Sequence, residues 1–217
     1  MVSPFHHRES DEMPAKETRG SVWNWARRYD LLIGFVTGGR EQAFRRRIAD
    51  LVQLHPGEAV LDVGCGTGSL ALEARQRVGK TGRVSGIDPS AQMIARARSK
   101  AARRSLSLDF QVGVIEQLTF SDQTFDVVLS TFMMHHLPDD LKRQGLAEIA
   151  RVLKPGGRLL ILDFTGPAGP WHSRIQDQPR FLKEVDLSQI ETGKLTFPGL
   201  SFVRAQKSPT EEGKATL

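Results

Sequence analysis

Three glycines and two carboxylates at short, fixed intervals carry the strongest chemical signal in this 217-residue sequence. The stretch Val60-Leu61-Asp62-Val63-Gly64-Cys65-Gly66-Thr67-Gly68 runs an apolar segment straight into a glycine-rich turn, and Leu70, Ala71, Ala74 and Val78 follow at helical spacing. Glycine permits the tight turn and lets a ligand lie against bare backbone. The helix start offers unpaired N–H groups to an electron-rich ligand group. A dinucleotide-binding turn reads G-x-G-x-x-G, because a pyrophosphate must sit on the helix end. Here the third glycine comes one place early and Ser69 follows it. No Lys or Arg stands in the turn, which excludes a phosphate cradle of the G-x-x-x-x-G-K-[ST] kind. The spacing suits a ligand without a pyrophosphate, whose amino group the Asp62 carboxylate can hold directly or through water. About 20 residues further on, where a ribose-binding carboxylate belongs, Gly86-Ile87-Asp88-Pro89-Ser90 closes the next apolar segment. Asp88 can accept both ribose hydroxyls, and Pro89 starts the following helix with φ preset.

These side chains need a scaffold that brings several strand ends together. Residues 59–63, 83–87, 106–112, 125–130 and 159–163 read as short buried strands. Between them lie helical patterns marked by Leu70 to Val78, by Met93, Ile94, Ala97 and Ala101, and by Leu141, Gly145, Ile149 and Val152. Lys154-Pro155-Gly156-Gly157 stops the last of these. Strands alternating with helices in this way imply βαβ units and a parallel sheet covered on both faces. Ahead of the sheet, Val22, Trp25, Tyr29, Leu32, Ile33 and Val36 are spaced as a helix ended by Gly38-Gly39. A second helix carries Phe44, Ile48, Leu51 and Val52 on one face. Behind the fifth strand, residues 165–170 read as a Gly/Pro loop and 175–185 as room for a short helix. Two strands at 187–191 and 200–205 flank the Pro198-Gly199 turn. The expected organisation is a disordered segment 1–20, one domain over 21–206 with a helical lid at 21–55, and a flexible tail 207–217.

Composition narrows the setting. The length suits one domain with a full core. No apolar run approaches the ~18 residues of a membrane span. The acidic N-terminal residues fit neither a secretory signal nor a transit peptide, and a cytoplasmic protein is expected. Cys65 is the one cysteine, which excludes an internal disulfide framework and any multi-cysteine metal site; no metal is expected. The net charge of +5 gathers at Arg45-Arg46-Arg47 and along Arg96, Arg98, Lys100, Arg103 and Arg104. Such clusters are either solvated helix faces or a surface for peripheral association with an anionic membrane or RNA. No aromatic interleaving marks a single-strand-binding surface.

Taken in order, residues 60–68, 86–90, 125–130 and 153–164 resemble the motifs of class I S-adenosylmethionine-dependent methyltransferases, over roughly residues 22 to 206. Tyr29-Asp30, His135-His136-Leu137 and the run Arg151 to Gly157 look most like the ubiquinone/menaquinone-biosynthesis C-methyltransferases; bacterial phospholipid N-methyltransferases are similar. The resemblance implies a Rossmann-like α/β fold: a mostly parallel seven-stranded sheet with an antiparallel last strand and helices on both faces. It implies S-adenosylmethionine as cofactor, with Gly64, Gly66 and Gly68 lining its methionine part and Asp88 on the ribose. Ile87 and Met93 would pack on the adenine, with Ile115 also at the cofactor and Ser130 near it at the end of strand four. Tyr29 would close the pocket. For Met93 and Tyr29 a plain core role is the alternative. The sequence departs from the family pattern at two places. Gly113-Val114-Ile115 stands where Gly-Asp-Ala is usual, so the contact to the adenine amino group is either missing or supplied by Glu116 or backbone. The segment between strand five and the last strand pair is also short.

Transfer of a methyl group depends on orientation and exclusion of water. A phenolic acceptor also needs a base, and histidine is the natural candidate. His135 and His136 follow strand four on the carboxyl edge, where ligands of open α/β sheets bind; packing the loop is their alternative role. The expected function is methylation of a small molecule or lipid, quinol-like or phospholipid-like. One rival is a nucleic-acid methyltransferase, which the basic charge favours. However, Ser130-Thr131-Phe132-Met133 stands where an Asn/Asp-Pro-Pro-aromatic loop belongs. A second rival is a non-catalytic cofactor-binding scaffold, which Val114 and the short C-terminal region favour.

Overall fold

The computed structural model describes Thr18, Gly20, residues 39–165 and residues 175–209. Its elements run α1 (Glu41–Leu51), β1 (Ala59–Val63), α2 (Ser69–Val78), β2 (Arg83–Asp88), α3 (Ala91–Arg103), β3 (Asp109–Val112) and β4 (Phe125–Thr131). A 3-10 turn (Met134–His136), α4 (Asp139–Val152), β5 (Leu153–Phe164), a second 3-10 turn (Ile175–Asp177), α5 (Gln178–Leu182), β6 (Leu187–Lys194) and β7 (Leu200–Lys207) complete it. The strands form one seven-stranded sheet in the order β3-β2-β1-β4-β5-β7-β6. Only β7 runs against its neighbours. This is the Rossmann-like class I architecture that the motifs imply. The chain steps outward from β1 through β2 to β3, then returns to lay β4 beside β1 with Val63 level with Ser130. That reversal opens a crevice at the carboxyl ends of β1 and β4, the place where this topology binds ligands.

Both faces of the sheet are covered, so the strands are apolar on both sides and alternate only in which layer they serve. Val60, Val84, Val127, Leu129 and Leu160 pack with Phe44, Ile48, Leu70, Leu72, Ile94 and Ala97 of α1, α2 and α3. Leu61, Val63, Val128, Leu159 and Ile161 pack with Leu141, Leu146 and Ile149 of α4 and Phe181 and Leu182 of α5. Helix α1 is fixed at its C-terminal end by two arginines from the sheet. Arg158 donates to the carbonyls of Val52 and Gln53 (both 3.0 Å), and Arg204 to that of Leu51 (2.8 Å). They satisfy carbonyls that a helix end leaves unpaired.

Several boundaries differ from the sequence expectation, β6 among them, which runs on to Lys194 rather than 191. Strand β3 begins at Asp109 rather than 106, because the N–H groups of Ser105 and Leu106 still bond back to Ala102 and Ala101 of α3. Strand β5 begins at Leu153 rather than 159. Leu153 pairs with Phe125, and the register then shifts before Val127 meets Arg158. Gly156, at φ +75, makes that shift possible inside an extended segment. At the far end β7 reaches Lys207, whose ammonium donates to the Leu153 carbonyl at 2.9 Å. Tyr29, the rest of the proposed first helix (22–38) and the 166–170 loop lie outside the described residues. No helix among the described residues is long and apolar enough to cross a membrane.

Candidate functional site

The glycine turn after β1 is tied to the end of β2. The N–H groups of Gly64 and Cys65 both donate to the Ile87 carbonyl, at 2.9 and 2.8 Å. The Gly66 N–H donates to one oxygen of Asp88 (3.0 Å) and the Ser90 N–H to the other (2.9 Å). Each carboxylate oxygen thus accepts one backbone N–H and keeps acceptor capacity for a further donor. Gly64, Gly66 and Gly68 all have positive φ. At Gly68 a Cβ would lie 2.8 Å from both Ala97 and Phe110, and at Gly64 2.6 Å from Met133. Those two glycines therefore answer close packing of protein on the turn as well as its backbone geometry. Ser90 caps α3 by accepting from the Met93 N–H.

Asp62 is the electrostatic anomaly of the site. It is 1% exposed, and neither of its oxygens has a hydrogen-bond partner among the described residues. Burial pushes its carboxyl up to about 7; the Arg45 charge opposes this, the Asp88 charge adds to it, and the nearby Ala71 backbone N–H opposes it weakly. Burial likewise lifts Asp88 to about 6, against the pull of its two backbone N–H donors. A buried carboxylate without a partner is costly, so a cationic ligand group is the natural complement. Burial pushes the Cys65 thiol up as well, reinforced by the charges of Asp62 and Asp88, which leaves it inert as a nucleophile.

Of the other expected residues, Ser130 lies buried at the end of β4 with its hydroxyl unpartnered among the described residues. Ile87 is buried on β2, separated from Ser130 by Val63 of β1, with which both are level. Met93 is 3% exposed yet belongs to neither apolar layer, which sets it apart from the ordinary core. At Ile115 the side chain packs into the space over Gly145 of α4, where a Cβ would come within 2.6 Å of it, which leaves its backbone to face the cofactor. Its side chain is core, placed there because Gly145 leaves room for it. Next to it, Oε2 of Glu116 is buried without a partner among the described residues.

The two histidines have different surroundings. Nδ1 of His135 lies 2.6 Å from Oδ1 of Asp163, and the His135 backbone N–H donates to Oδ2 at 3.1 Å. Both side chains are buried. With the carboxylate accepting, the ring proton sits on Nδ1 and Nε2 is the basic nitrogen. His136 is held down to about 4, first by burial and then by the His135 charge, with Asp163 pulling the other way. Rings of Phe132 and Phe164 stand 5.2 Å apart, and Phe164 meets His135 edge-on at 5.5 Å. Phe132 adopts φ +56, an uncommon conformation for a bulky residue, just past β4. Asp163 went unassigned in the sequence; its one signal is a carboxylate ending an apolar strand on the carboxyl edge.

A family profile described as a methyltransferase domain matches residues 60–157. The chain is similar to the ubiquinone/menaquinone biosynthesis C-methyltransferase of Hydrogenovibrio crunogenus, 33% identical over 168 residues that cover 76% of this chain and 65% of that protein. The protein of the same description from Francisella tularensis is 31% identical over 183 residues, covering 83% of this chain and 72% of that one. The chain spans somewhat less than two thirds of the first of these relatives. Among solved structures, a SAM dependent methyltransferase from Aquifex aeolicus matches with a TM-score of 0.63 at 24% identity, over 75% of this chain and 89% of that one. At that identity the likeness speaks for the fold alone.

Proposed function

The chain belongs to the class I S-adenosylmethionine-dependent methyltransferases, in the ubiquinone/menaquinone C-methyltransferase-like group, and from that footing we propose that it methylates a carbon of a quinol-type small molecule. The observation that carries the cofactor half is the buried, bondless carboxylate of Asp62 beside the backbone-held carboxylate of Asp88. The residues present fit the group. Asp62 answers its ammonium, Asp88 its ribose hydroxyls, and the buried Glu116 oxygen its adenine amino group, in place of the aspartate the family pattern has at Val114. When bound, S-adenosylmethionine supplies an activated methyl group.

The protein's own part is to orient the acceptor, exclude water and move one proton. His135 takes the acceptor's hydroxyl proton at Nε2, and Asp163 fixes the tautomer and offsets the imidazolium charge that results. The methylated ring carbon then loses its own hydrogen as a proton and the hydroxyl is re-formed from the imidazolium, so one proton leaves overall. His136, held near 4, is too weak a base for that task. Phe132 and Phe164 give a flat apolar acceptor a wall beside the histidine.

Calorimetric titration of the full chain tests the cofactor assignment. S-adenosylhomocysteine is expected to bind at one site and NADH not at all. Asp88→Ala is expected to weaken binding about tenfold or more, two charge-assisted hydrogen bonds being lost. Absence of binding by folded wild type would overturn the assignment. With reduced demethylmenaquinone as acceptor, His135→Gln is expected to lower kcat about a hundredfold or more while leaving homocysteine-analogue affinity in place. An unchanged kcat would remove His135 from the base role.

A further inference from the structure

One polar side chain stands where the fold calls for an apolar one. Ile175, Gln178, Phe181 and Leu182 follow one another at helical spacing through the second 3-10 turn and α5, and all four are buried. Ile175, Phe181 and Leu182 join the apolar layer of α4, with Leu159 and Ile161 of β5. Gln178 takes the remaining place in that stripe. It is 1% exposed, and its Oε1 has no hydrogen-bond partner among the described residues. A buried amide without partners is costly, and folded proteins rarely keep one. Methionine would fill much the same volume without that cost. The stripe also sets Gln178 at the carboxyl edge of the sheet. Gln176 donates from Nε2 to the Thr165 carbonyl, just past β5, at 2.7 Å, so α5 starts beside the end of that strand. Side chains alternate along β5. Leu159 and Ile161 face the layer of α4 and α5, and Asp163 continues that face. Its partner His135 lies in the 3-10 turn whose neighbours Met134 and Leu137 belong to the same layer. On β4, Ser130 follows Val128 on that face, with its buried hydroxyl unpartnered among the described residues. Phe164 belongs to the opposite layer. The end of β5 therefore has the phenylalanine wall on one face. On the other it has the His135–Asp163 pair, with unpartnered polar groups from β4 and α5.

We infer that Gln178 is a second anchor for the methyl acceptor: its carboxamide hydrogen-bonds the ring hydroxyl that His135 does not take, and so selects a dihydroxy ring over a monohydroxy one. This rests on the quinol-type reading of the acceptor, and it adds a residue from a segment that none of the motifs covers. A quinol carries a hydroxyl at each end of its ring. One meets Nε2 of His135. The other must find a partner in a site closed to water, because a buried hydroxyl without one is costly too. That hydroxyl donates to Oε1 of Gln178, and the amide Nε2 can donate to a ring oxygen in return. One contact thus satisfies two polar groups that would otherwise stay unpaired. It also fixes which way the ring enters, because Phe181 and Leu182, one turn further along the same face of α5, are buried in the core and hold the helix in place.

The test pairs two acceptors that differ by one hydroxyl: 1,4-naphthoquinol, kept reduced under anaerobic conditions, and 1-naphthol. Methyl transfer from S-adenosylmethionine to each is measured with full-length wild type and Gln178→Met. Wild type is expected to prefer the quinol in kcat/KM by about tenfold to a hundredfold, the range of one buried hydrogen bond whose loss leaves its partner unpaired. Gln178→Met is expected to bring the two acceptors within about threefold of each other, the quinol losing through KM rather than kcat. Without acceptor, the same variant is expected to melt about 2–4 °C higher than wild type, because it no longer buries an unpaired amide. A lower Tm would mean that the amide is bonded within the fold, and would overturn the inference. A variant that keeps the wild-type preference, or that loses equally on both acceptors, would overturn it as well and leave Gln178 to packing. So would a wild type that methylates both acceptors equally well. A wild type that methylates neither would overturn the quinol reading itself, a result distinct from the others.

Discussion

At the scale of single residues, the site is built on two buried acids that the free protein holds at a loss. Asp62 and Asp88 were legible in the sequence because a carboxylate beside a glycine turn, and another at the end of the next strand, are motif positions. Asp163 was not, because its significance comes from His135, which lies 28 residues away in the chain and meets it only through the pairing of β4 with β5. The Asp163 contact also separates the two histidines, which the sequence left equivalent. The Asp62 carboxyl makes a stability prediction with a definite sign. Its folded-state value, about 7, lies above the unfolded value of 3.8, so the folded protein binds more protons between those limits. Its contribution to stability is full below pH 4 and is lost as pH rises through 7. The loss is about 4 kcal/mol at most, at 1.36 kcal/mol for each pH unit. Asp62→Asn keeps the shape and removes the charge, although the amide is left without partners too. Urea denaturation of the unliganded protein is expected to find the variant more stable than wild type by about 1–3 kcal/mol at pH 8. That advantage is expected to vanish or reverse at pH 4. An advantage independent of pH would mean that the Asp62 carboxyl titrates alike in the folded and unfolded protein, so that its burial carries no proton linkage.

At the scale of elements, periodicity carried most of the information, and it failed where backbone hydrogen bonds rather than side chains decided the boundary. The strands β1 and β4 are mostly apolar and buried along nearly their whole length, which made them plain in the sequence. At the start of β5, Pro155-Gly156-Gly157 reads as a loop by composition, yet the chain stays extended through it because Gly156 supplies the positive φ that a register shift needs. At β3 the opposite happened: Leu106 and Leu108 have strand-like character, but the exit turn of α3 holds the backbone until Asp109. The role of α1 was not legible either. Its buried face, Phe44 and Ile48, is a plain amphipathic signal. That Arg158 and Arg204 of the sheet fix its C-terminal end, so that its N-terminal half stands beside the crevice, depends on contacts more than 100 residues apart in the chain. A helix fixed at one end by hydrogen bonds to its last carbonyls keeps its other half, with Phe44 against Phe132, beside the crevice.

At the scale of the whole molecule, a ligand that completes the site should change the pH dependence of stability and not only its level. The free protein carries Asp62 and Asp88 with raised values near 7 and 6, so ionising both as pH rises weakens the fold. A bound S-adenosylhomocysteine offers an ammonium to one and ribose hydroxyls to the other, which favours the ionised forms. Below about pH 7 binding must therefore release protons, and affinity rises with pH until both acids are ionised in the free protein. At a ligand concentration 100 times Kd, stabilisation is about 2.7 kcal/mol. For a chain of this size that corresponds to an upward shift in Tm of roughly 5–10 °C. With ligand concentration fixed to meet that condition at pH 8, each unit of pH below 7 is expected to remove up to about 1.4 kcal/mol per proton bound. Scanning calorimetry with and without the ligand should thus show a large shift at pH 8 and less than half of it at pH 5.5. In Asp62→Asn the shift is expected to be smaller at pH 8 and to vary with pH only near 6, where Asp88 alone titrates. A wild-type shift that is the same at both pH values would mean that the ligand does not draw on the buried acids, and the assignment of Asp62 to the ammonium would fall with it.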